Sequence, residues 1–131
     1  MVLQCFCLFS MTTQEECDNT KTKHMYTPLE DDMKNILTAT LPGGPSYDCH
    51  LEDAADFISS FGGEQLSTEF PDVTAKAILE FDKESGDRTT FVSEAVKSWL
   101  QQLQKESPTK FGCSYSELVE EGRDKIVCVF V

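Results

Sequence analysis

The stretch 110-KFGCSYSELVEEGRDKIVCVF-130 decides the fold of this chain. It contains two runs, 110–116 and 125–131, that are rich in aromatic and β-branched residues, as is typical of strands. The charged segment between them, Leu118 to Asp124, contains a glycine and predicts a long loop. We therefore predict that the two runs form an antiparallel pair.

Three helices are predicted upstream of this pair. In the first, Thr27 is the expected cap, Pro28 suits the first helical position and Glu30 completes a capping box. Each helix carries an apolar stripe at helical spacing and is followed by glycine or proline. The predicted bounds are Thr27 to Leu41, Asp48 or Cys49 to Phe61, and Thr89 or Thr90 to the residues before Pro108.

One segment is ambiguous between the two kinds of structure. From Val73 to Asp82 apolar and polar residues alternate, which predicts a strand, while the alanine content leaves a helix open. Helices and strands without βαβ alternation make the fold class α+β. A chain of 131 residues with 40% hydrophobic content is expected to build one modest core.

The charge balance excludes two classes of partner. Eleven Lys and Arg residues stand against 23 Asp and Glu residues, which gives a formal net charge of −12 at pH 7. No Lys/Arg cluster is dense enough to neutralise several phosphates in a row, so we expect no nucleic acid partner. The same repulsion disfavours anionic membrane surfaces. The acidity favours solubility.

The six cysteines indicate an oxidised protein. No pair shows the CxxC spacing of a zinc site or a redox centre. Wide and irregular spacing favours a disulfide framework and hence an oxidising compartment, although reduced proteins also carry scattered buried cysteines. The cysteines stand at positions 5, 7, 17, 49, 113 and 128.

The N-terminal segment differs in composition from the rest of the chain. Residues 1–11 are almost entirely apolar but lack the basic segment of a signal peptide, and they are too short to span a bilayer. They indicate either the remnant of a secretory hydrophobic segment or a start site that is not the natural one. If this leader is cleaved, Cys5 and Cys7 leave with it and an even number of cysteines remains. We therefore predict an apolar leader remnant and flexible arm at 1–25 and one domain at 26–131.

Catalytic chemistry has few candidates. His24 and His50 are the only histidines, so any nucleophilic triad must use one of them. No serine lies in a Gly-x-Ser-x-Gly elbow, and the ordered cysteines are better explained as bridged. We predict no catalytic residue, no enzyme activity and no cofactor.

The remaining polar and aromatic features also have structural explanations. Two carboxylate clusters, Glu30 to Asp32 and Glu52 to Asp56, lie at predicted helix starts, where the helix dipole favours negative charge, and neither has calcium-loop spacing. We predict that neither histidine is a metal ligand. The segment Glu120 to Asp124 is predicted as a solvated loop tip. Trp99 either lines a lipid pocket or belongs to the core.

Three motifs of this chain carry a family resemblance. They are the run FGCSYS at 111–116, the run KIVCVF at 125–130 and the segment YDCHLEDAA at 47–55. The two runs resemble the closing hairpin of the CAP superfamily, the fold of pathogenesis-related and venom-allergen proteins. The third motif resembles the Leu-Glu-x-x-Ala helix of CAP-like domains, and the Trp99 helix precedes the hairpin in the expected order. From Tyr26 to Val131 the chain is most similar to the SAG surface antigens of Eimeria-type coccidian parasites.

The resemblance implies a particular architecture. It is a CAP-like sandwich of about three helices on a small antiparallel sheet, closed by a disulfide-linked C-terminal hairpin. CAP proteins with a metal site carry paired histidines and acidic residues around a central cleft. Here Gly63-Glu64-Gln65 is the only echo of their Gly-Glu-Asn segment and no histidine follows His50, so we expect no metal at such a site.

The resemblance to SAG antigens also implies a function. The protein is expected to be a non-enzymatic secreted or surface-displayed protein that acts in host attachment or immune exposure. It is expected to be monomeric, and its partner is expected to be a host-cell surface protein or glycan. A glycolipid anchor would tether the full-length product to a membrane; since the sequence ends at Val131, either that signal has been removed or the product is unanchored or incomplete. The alternative is a CAP-like secreted effector that binds a small apolar ligand, a lipid or sterol. A divergent hydrolase is a third, minor hypothesis, and the missing histidines argue against it.

The cystine pattern is a testable prediction, with Cys113 joined to Cys128 and Cys17 to Cys49. The first pair follows from strands that are expected to pair and from the CAP-like hairpin, which has cysteines in the same places. The second rests on elimination. A Cys113→Ser change should lower the Tm clearly, because closing this short loop stabilises the fold by about 3 kcal/mol in the chain-entropy model. Non-reducing peptide mapping checks both pairs, and free thiols at Cys113 and Cys128 would contradict the first.

Overall fold

The computed structural model describes residues 17–18 and 26–131. The described residues form four α-helices, one 3₁₀ turn and one four-stranded sheet. The predicted leader and arm at 1–25 lie outside the described residues except for Cys17 and Asp18, so this division of the chain remains a prediction. The elements are α1 Asp31–Thr40, β1 Ser46–Tyr47, α2 Cys49–Phe61, α3 Leu66–Glu69, β2 Ala77–Glu84, α4 Arg88–Glu106, β3 Lys110–Leu118, the 3₁₀ turn Val119–Glu121 and β4 Arg123–Phe130.

The sheet confirms the α+β class and the C-terminal hairpin. Its strand order is β1-β3-β4-β2, with β4 between two antiparallel neighbours. Cys113 on β3 lies opposite Cys128 on β4, and a disulfide joins them with Cα atoms 4.1 Å apart. The strand β2 covers the ambiguous segment from Ala77 onward and continues to Glu84, so the helical alternative is wrong, while residues 73–76 precede the strand.

Two expectations about the sheet are wrong. The strand β1 was not predicted, and it pairs with β3 in parallel, so the sheet is not wholly antiparallel. The predicted long loop is only a 3₁₀ turn, because β3 continues to Leu118 and β4 begins at Arg123. Charged residues continue these strands because neighbours on β2 and after it bind them: Arg123 Nε lies 3.2 Å from Asp82 Oδ1, and Ser85 Oγ lies 2.8 Å from Asp124 Oδ1.

The helix α2 begins and ends as the sequence predicts. Asp48 caps it, since its Oδ1 accepts hydrogen bonds from the backbone N–H groups of His50 at 2.8 Å and Leu51 at 3.2 Å. Gly62, with φ of 85°, ends it.

The starts of the other two long helices differ from the prediction. α1 begins at Asp31 rather than near Thr27, because the N–H of Leu29 donates to Glu52 Oε1 at 3.3 Å and the segment before the helix stays non-helical. Asp87 caps α4, and neither threonine does. The Oδ2 atom of Asp87 accepts a hydrogen bond from the backbone N–H of Thr90 at 2.9 Å. The short helix α3 was not predicted.

The core lies on both faces of the sheet. Alternate residues of β4 point to opposite sides, as strand geometry requires. On one side α1 and α4 cover the sheet, and Trp99 is 5% exposed with its ring edge-on to Phe130 at a centroid distance of 6.2 Å. On the other side α2 and Phe70 pack against Val127 and Val129. The sheet is therefore the middle layer of a sandwich, and Trp99 is a core residue.

Gly112 lies where β3 passes the first turn of α2. A Cβ atom built at this position would lie 2.2 Å from the backbone nitrogen of Glu52, 2.4 Å from the carbonyl carbon of Leu51 and 2.7 Å from the carbonyl oxygen of Asp48. All three are backbone atoms, so no side-chain movement can relieve the clash. The absence of a side chain at Gly112 sets how closely the helix approaches the sheet.

A Gly112→Ala change should therefore destabilise the protein strongly, by about 3 kcal/mol or more, since the helix must move away from the strand. Thermal unfolding followed by circular dichroism measures this. The matched control is Gly63→Ala, where a Cβ atom meets nothing within 4 Å; it should change stability by less than about 1 kcal/mol. Equal stability of both variants would show that the contact does not constrain the fold.

Candidate functional site

A buried polar cluster lies where the start of α2 meets the segment before α1. We call it the Glu52 cluster. Its two acidic residues are each 1% exposed and its lysine is 2% exposed, which is rare for charged side chains. The members are Tyr26, Lys34, Tyr47, Glu52 and Asp53.

Glu52 is the centre of this cluster. Its Oε1 accepts a hydrogen bond from the hydroxyl of Tyr47 and another from the N–H of Leu29 at 3.3 Å. Tyr26 faces the same carboxylate, and the Tyr47 hydroxyl also lies 3.4 Å from the carbonyl oxygen of Cys113. The Glu52 side chain thus joins the segment before α1 to the strand β1, and Tyr47 links both to the strand β3.

Burial changes the acid–base properties of these groups. It raises the pKa of Glu52 above the ordinary value of a glutamate, while hydrogen bonds from Tyr47, Tyr26 and Leu29 and the charge of Lys34 act in the opposite direction. Burial and the adjacent carboxylate raise the pKa of both tyrosines, so they stay protonated and remain donors. Because the carboxylate is almost fully enclosed, the arrangement fastens segments of the chain and does not present an acid or base to a substrate.

Sequence reasoning missed this cluster. Glu52 and Asp53 were explained as charges that favour helix initiation, and they do lie in the first turns of α2. The structure buries them because that helix is covered by the sheet on one side and by the segment before α1 on another. The only signal in the sequence is that Glu52 and Asp53 lie between Leu51 and Ala54, two core residues of the same helix.

The structure places the four predicted disulfide cysteines in two pairs, Cys113 with Cys128 and Cys17 with Cys49. The second bond attaches residue 17 to the first residue of α2. Lys34 lies beside it: its Nζ is 3.8 Å from the Sγ of Cys17 and 5.0 Å from the ring centroid of Tyr47. Cys17 is thus fastened at the edge of the Glu52 cluster.

A second polar cluster surrounds Arg88 at the start of α4. The guanidinium carbon lies 5.7 Å from the ring centroid of Tyr115 on β3, and the group contacts the carboxylates of Glu30 and Asp32. The Tyr115 hydroxyl donates to Asp124, which is 2% exposed. The prediction of a solvated loop tip is therefore wrong for Asp124. A cleft of about 150 Å³ opens beside this cluster, lined by Thr27, Pro28, Leu29, Glu30, Met33, Arg88, Tyr115 and Glu117.

The residues that could serve a CAP-type metal site do not come together. His50 Nε2 lies 2.8 Å from Asp72 Oδ2, and both side chains are about half exposed or more. Glu64 is exposed at the turn after α2, and His24 lies outside the described residues. Across residues 17–18 and 26–131 no three His, Cys, Asp or Glu side chains converge on one point. The described residues do not fit a metal centre of paired histidines and carboxylates.

Among the large apolar side chains of the described residues, the most exposed one lies at the tip of the hairpin. Val119, in the 3₁₀ turn between β3 and β4, is 83% exposed and is followed by the exposed Glu120 and Glu121. Phe61, at the end of α2, is 72% exposed. Within the described ranges no helix has the length and apolar character needed to cross a bilayer.

The Glu52 cluster predicts a specific dependence of stability on pH. Because the folded-state pKa of Glu52 is raised, its contribution to stability is complete below about pH 4.3 and is lost as the pH rises through the folded value. Asp53, Asp56 and the two tyrosines are the other titratable groups that interact there, with Lys34 as the cation.

A Glu52→Gln variant stays neutral at every pH. Its free energy of unfolding relative to the wild type should therefore increase with pH above about 4.3, by about 1.4 kcal/mol for each unit by which the pKa is raised. Urea unfolding between pH 4 and 8 measures the difference. Glu64→Gln, which removes an exposed carboxylate, is the control. A difference that shrinks with rising pH would show that the buried carboxylate is favoured as an anion.

Comparison with solved structures shows a CAP-like fold. Ancylostoma-secreted protein Ac-ASP-7 superposes with a TM-score of 0.53 at 16% identity, over 89% of this chain and 74% of that one. Hookworm platelet inhibitor gives a TM-score of 0.54 at 16% identity, over 87% and 76%. A manganese-bound form of Ac-ASP-7 is 21% identical with a TM-score of 0.48 over 75% of this chain, which spans 60% of that protein's length. At these identities the likeness shows the fold alone.

Comparison with curated protein sequences finds no match. The sequence profile of one family, described as Ancylostoma-associated secreted protein related and abbreviated ASPR, matches residues 12–130. This range includes both disulfides, the Glu52 cluster and every described helix and strand. The closer resemblance to coccidian SAG antigens is not tested by these comparisons and stays a prediction. The chain belongs to the Ancylostoma-associated secreted protein related family and has a CAP-like domain.

Proposed function

We propose that this protein is a secreted, non-enzymatic binding protein that attaches to a host-cell surface protein or glycan through the tip of its C-terminal hairpin. The observation that carries this proposal is the exposure of Val119, which is 83% accessible at the end of the two longest strand pairings of the sheet. Rigid scaffolds that present contact residues on exposed turns are typical of binding proteins.

Secretion is supported by the two disulfides and by the family. Disulfides persist in oxidising compartments, and the ASPR family is described as related to secreted proteins. Attachment of the full-length product by a glycolipid anchor, which the likeness to SAG antigens implies, is the further part of this proposal.

The hairpin is well suited to hold a contact surface in place. Eight residue pairs join β3 to β4, from Phe111 opposite Phe130 to Leu118 opposite Arg123. The turn is closed by the N–H of Gly122, which donates to the carbonyl oxygen of Val119 at 3.2 Å. Little conformational freedom is left to lose on binding, which favours affinity.

The chemistry of the tip indicates the chemistry of the partner. An apolar side chain lies beside two carboxylates, Glu120 and Glu121, on a protein whose formal net charge is −12. Such a surface complements an apolar pocket with a basic rim, and the long-range charge would speed the encounter with a basic partner.

The alternative of a small apolar ligand receives no support from Trp99. That side chain packs in the core, and its indole N–H donates to the carbonyl oxygen of Glu80 at 3.3 Å. The cleft beside Arg88, at about 150 Å³, is smaller than the roughly 300 to 1,000 Å³ of most small-molecule sites and carries charged residues.

Binding of the purified, fluorescently labelled protein to mammalian epithelial, endothelial and blood cells tests the proposal by flow cytometry. A Val119→Ser change should weaken binding about tenfold, the equivalent of about 1.4 kcal/mol. Binding should also weaken as salt rises, because the acidic surface contributes to the encounter. The matched control is Phe61→Ser, which removes an exposed aromatic ring at the end of α2 and should leave binding unchanged.

Two results would contradict this proposal. The first is cell binding no stronger than that of an unrelated protein of equal charge. The second is a loss of binding in Phe61→Ser while Val119→Ser binds normally.

A further inference from the structure

The two disulfides lie in different surroundings. Cys113 and Cys128 are both 0% exposed in the middle of the sheet. Cys17 and Cys49 are both only partly buried, and their bond joins residue 17 to the first residue of α2. Of the two bonds, the second is therefore open to attack by a thiol in solution while the protein is folded.

A fixed cation lies beside one of its sulfur atoms. Lys34 Nζ is 3.8 Å from the Sγ of Cys17. The lysine cannot turn away into water, since it is 2% exposed and its ammonium group also lies over the ring of Tyr47. An adjacent positive charge favours a thiolate over a thiol, and a thiol that ionises readily is the better leaving group in disulfide exchange.

The other sulfur atom has weaker support. Cys49 is at the first position of α2, where the helix dipole favours a thiolate. The carboxylate of Asp48, however, lies at the same helix end and already accepts the N–H groups of His50 and Leu51. Asp48 also pairs with Lys110, whose Nζ lies 3.9 Å from its Oδ2, and Asp18 adjoins Cys17 in the sequence. The contact that distinguishes the two sulfur atoms is therefore that of the Lys34 ammonium group with Cys17 Sγ. It makes Cys17 the better leaving sulfur and directs attack at Cys49.

From these contacts we propose that Cys49 is an S-thiolation site for small thiols of the glutathione class. The thiolate of the small molecule attacks Cys49 Sγ and forms a new sulfur–sulfur bond. The bond between Cys49 and Cys17 breaks, and its electron pair leaves on Cys17 as a thiolate beside the Lys34 ammonium group. No external oxidant is consumed, because one disulfide replaces another. A second small thiol then releases the symmetrical small-molecule disulfide and leaves Cys49 reduced. The proposal is independent of host-cell binding.

The test incubates the folded full-length protein with millimolar reduced glutathione, quenches with acid, blocks free thiols with N-ethylmaleimide and identifies the products by mass spectrometry. Cleavage after glutamate separates Cys5 and Cys7 from Cys17, because Glu15 and Glu16 lie between them. We expect glutathione on Cys49, N-ethylmaleimide on Cys17 and an intact bond between Cys113 and Cys128. Glutathione on Cys17 instead, or earlier opening of the bond in the sheet, would overturn the proposal.

Variants at Lys34 test the role of the cation. Lys34→Met should slow the formation of the Cys49 adduct about tenfold, whereas Lys34→Arg should retain most of the wild-type rate. The matched control is Lys83→Met, which removes a lysine paired with Glu94 on the surface and should leave the rate unchanged. A wild-type rate in Lys34→Met would overturn the proposal. If that variant also opens the bond between Cys113 and Cys128, its fold has loosened, and the Lys34→Arg rate decides: retention supports the proposal and loss contradicts it.

Discussion

The close approach of β3 to the first turn of α2 at Gly112 is the constraint on which the rest of the structure depends. The approach brings the backbones of a helix and a strand together without an intervening side chain. The N–H of Asp48 donates to the carbonyl oxygen of Phe111 at 2.8 Å, so the residue that caps the helix is also tied to the strand. Together with the pairing of β1 and β3, these contacts position the start of α2 and the cysteine at its first position.

The same contact explains why a carboxylate is buried. Glu52 belongs to the turn that touches Gly112, and there its side chain is enclosed by the segment before α1 and by β1. Enclosing a charge is unfavourable unless hydrogen bonds replace water, and here hydroxyl and backbone donors do so. Such a group stabilises the fold less than an apolar residue of similar size could, but it requires its donors to be in one arrangement. The position of the segment before α1 is therefore set by the direction of its hydrogen bond to Glu52 as well as by the burial of its side chains.

The parts of the fold that could be predicted from the sequence are those whose signals are local. The start of α2 at Asp48 or Cys49, its end at Gly62 and the aromatic and β-branched runs of β3 and β4 each depend on residues near them in the chain. The start of α1 could not be found in this way, because the N–H of Leu29 is satisfied by a residue 23 positions further along the chain. Asp124 was assigned to a loop for the same reason: its partners, Ser85 and Tyr115, come from two other segments.

At the candidate site, too, some features have a signal in the sequence and others depend only on contacts between distant residues. The pair Cys113–Cys128 was predicted from strands expected to pair and from a family resemblance, and Cys17–Cys49 was predicted by elimination, whereas the position of Lys34 beside Cys17 has no signature in the sequence. A lysine within an amphipathic helix is ordinarily a solvated residue. Lys34 becomes part of a site only because Cys17 and the Tyr47 ring both contact it in the folded chain. Both contacts join residues that are far apart in the sequence.

The strand order has a consequence for how the chain acquires its structure during synthesis. The strand β4 lies between β2 and β3, yet it follows every other described helix and strand in the sequence. Until it leaves the ribosome, β2 has no partner on that side, and β3 has only the two-residue strand β1. The sheet is therefore complete only once β4 has been translated, and the helix faces that pack against β4 stay exposed to solvent until then.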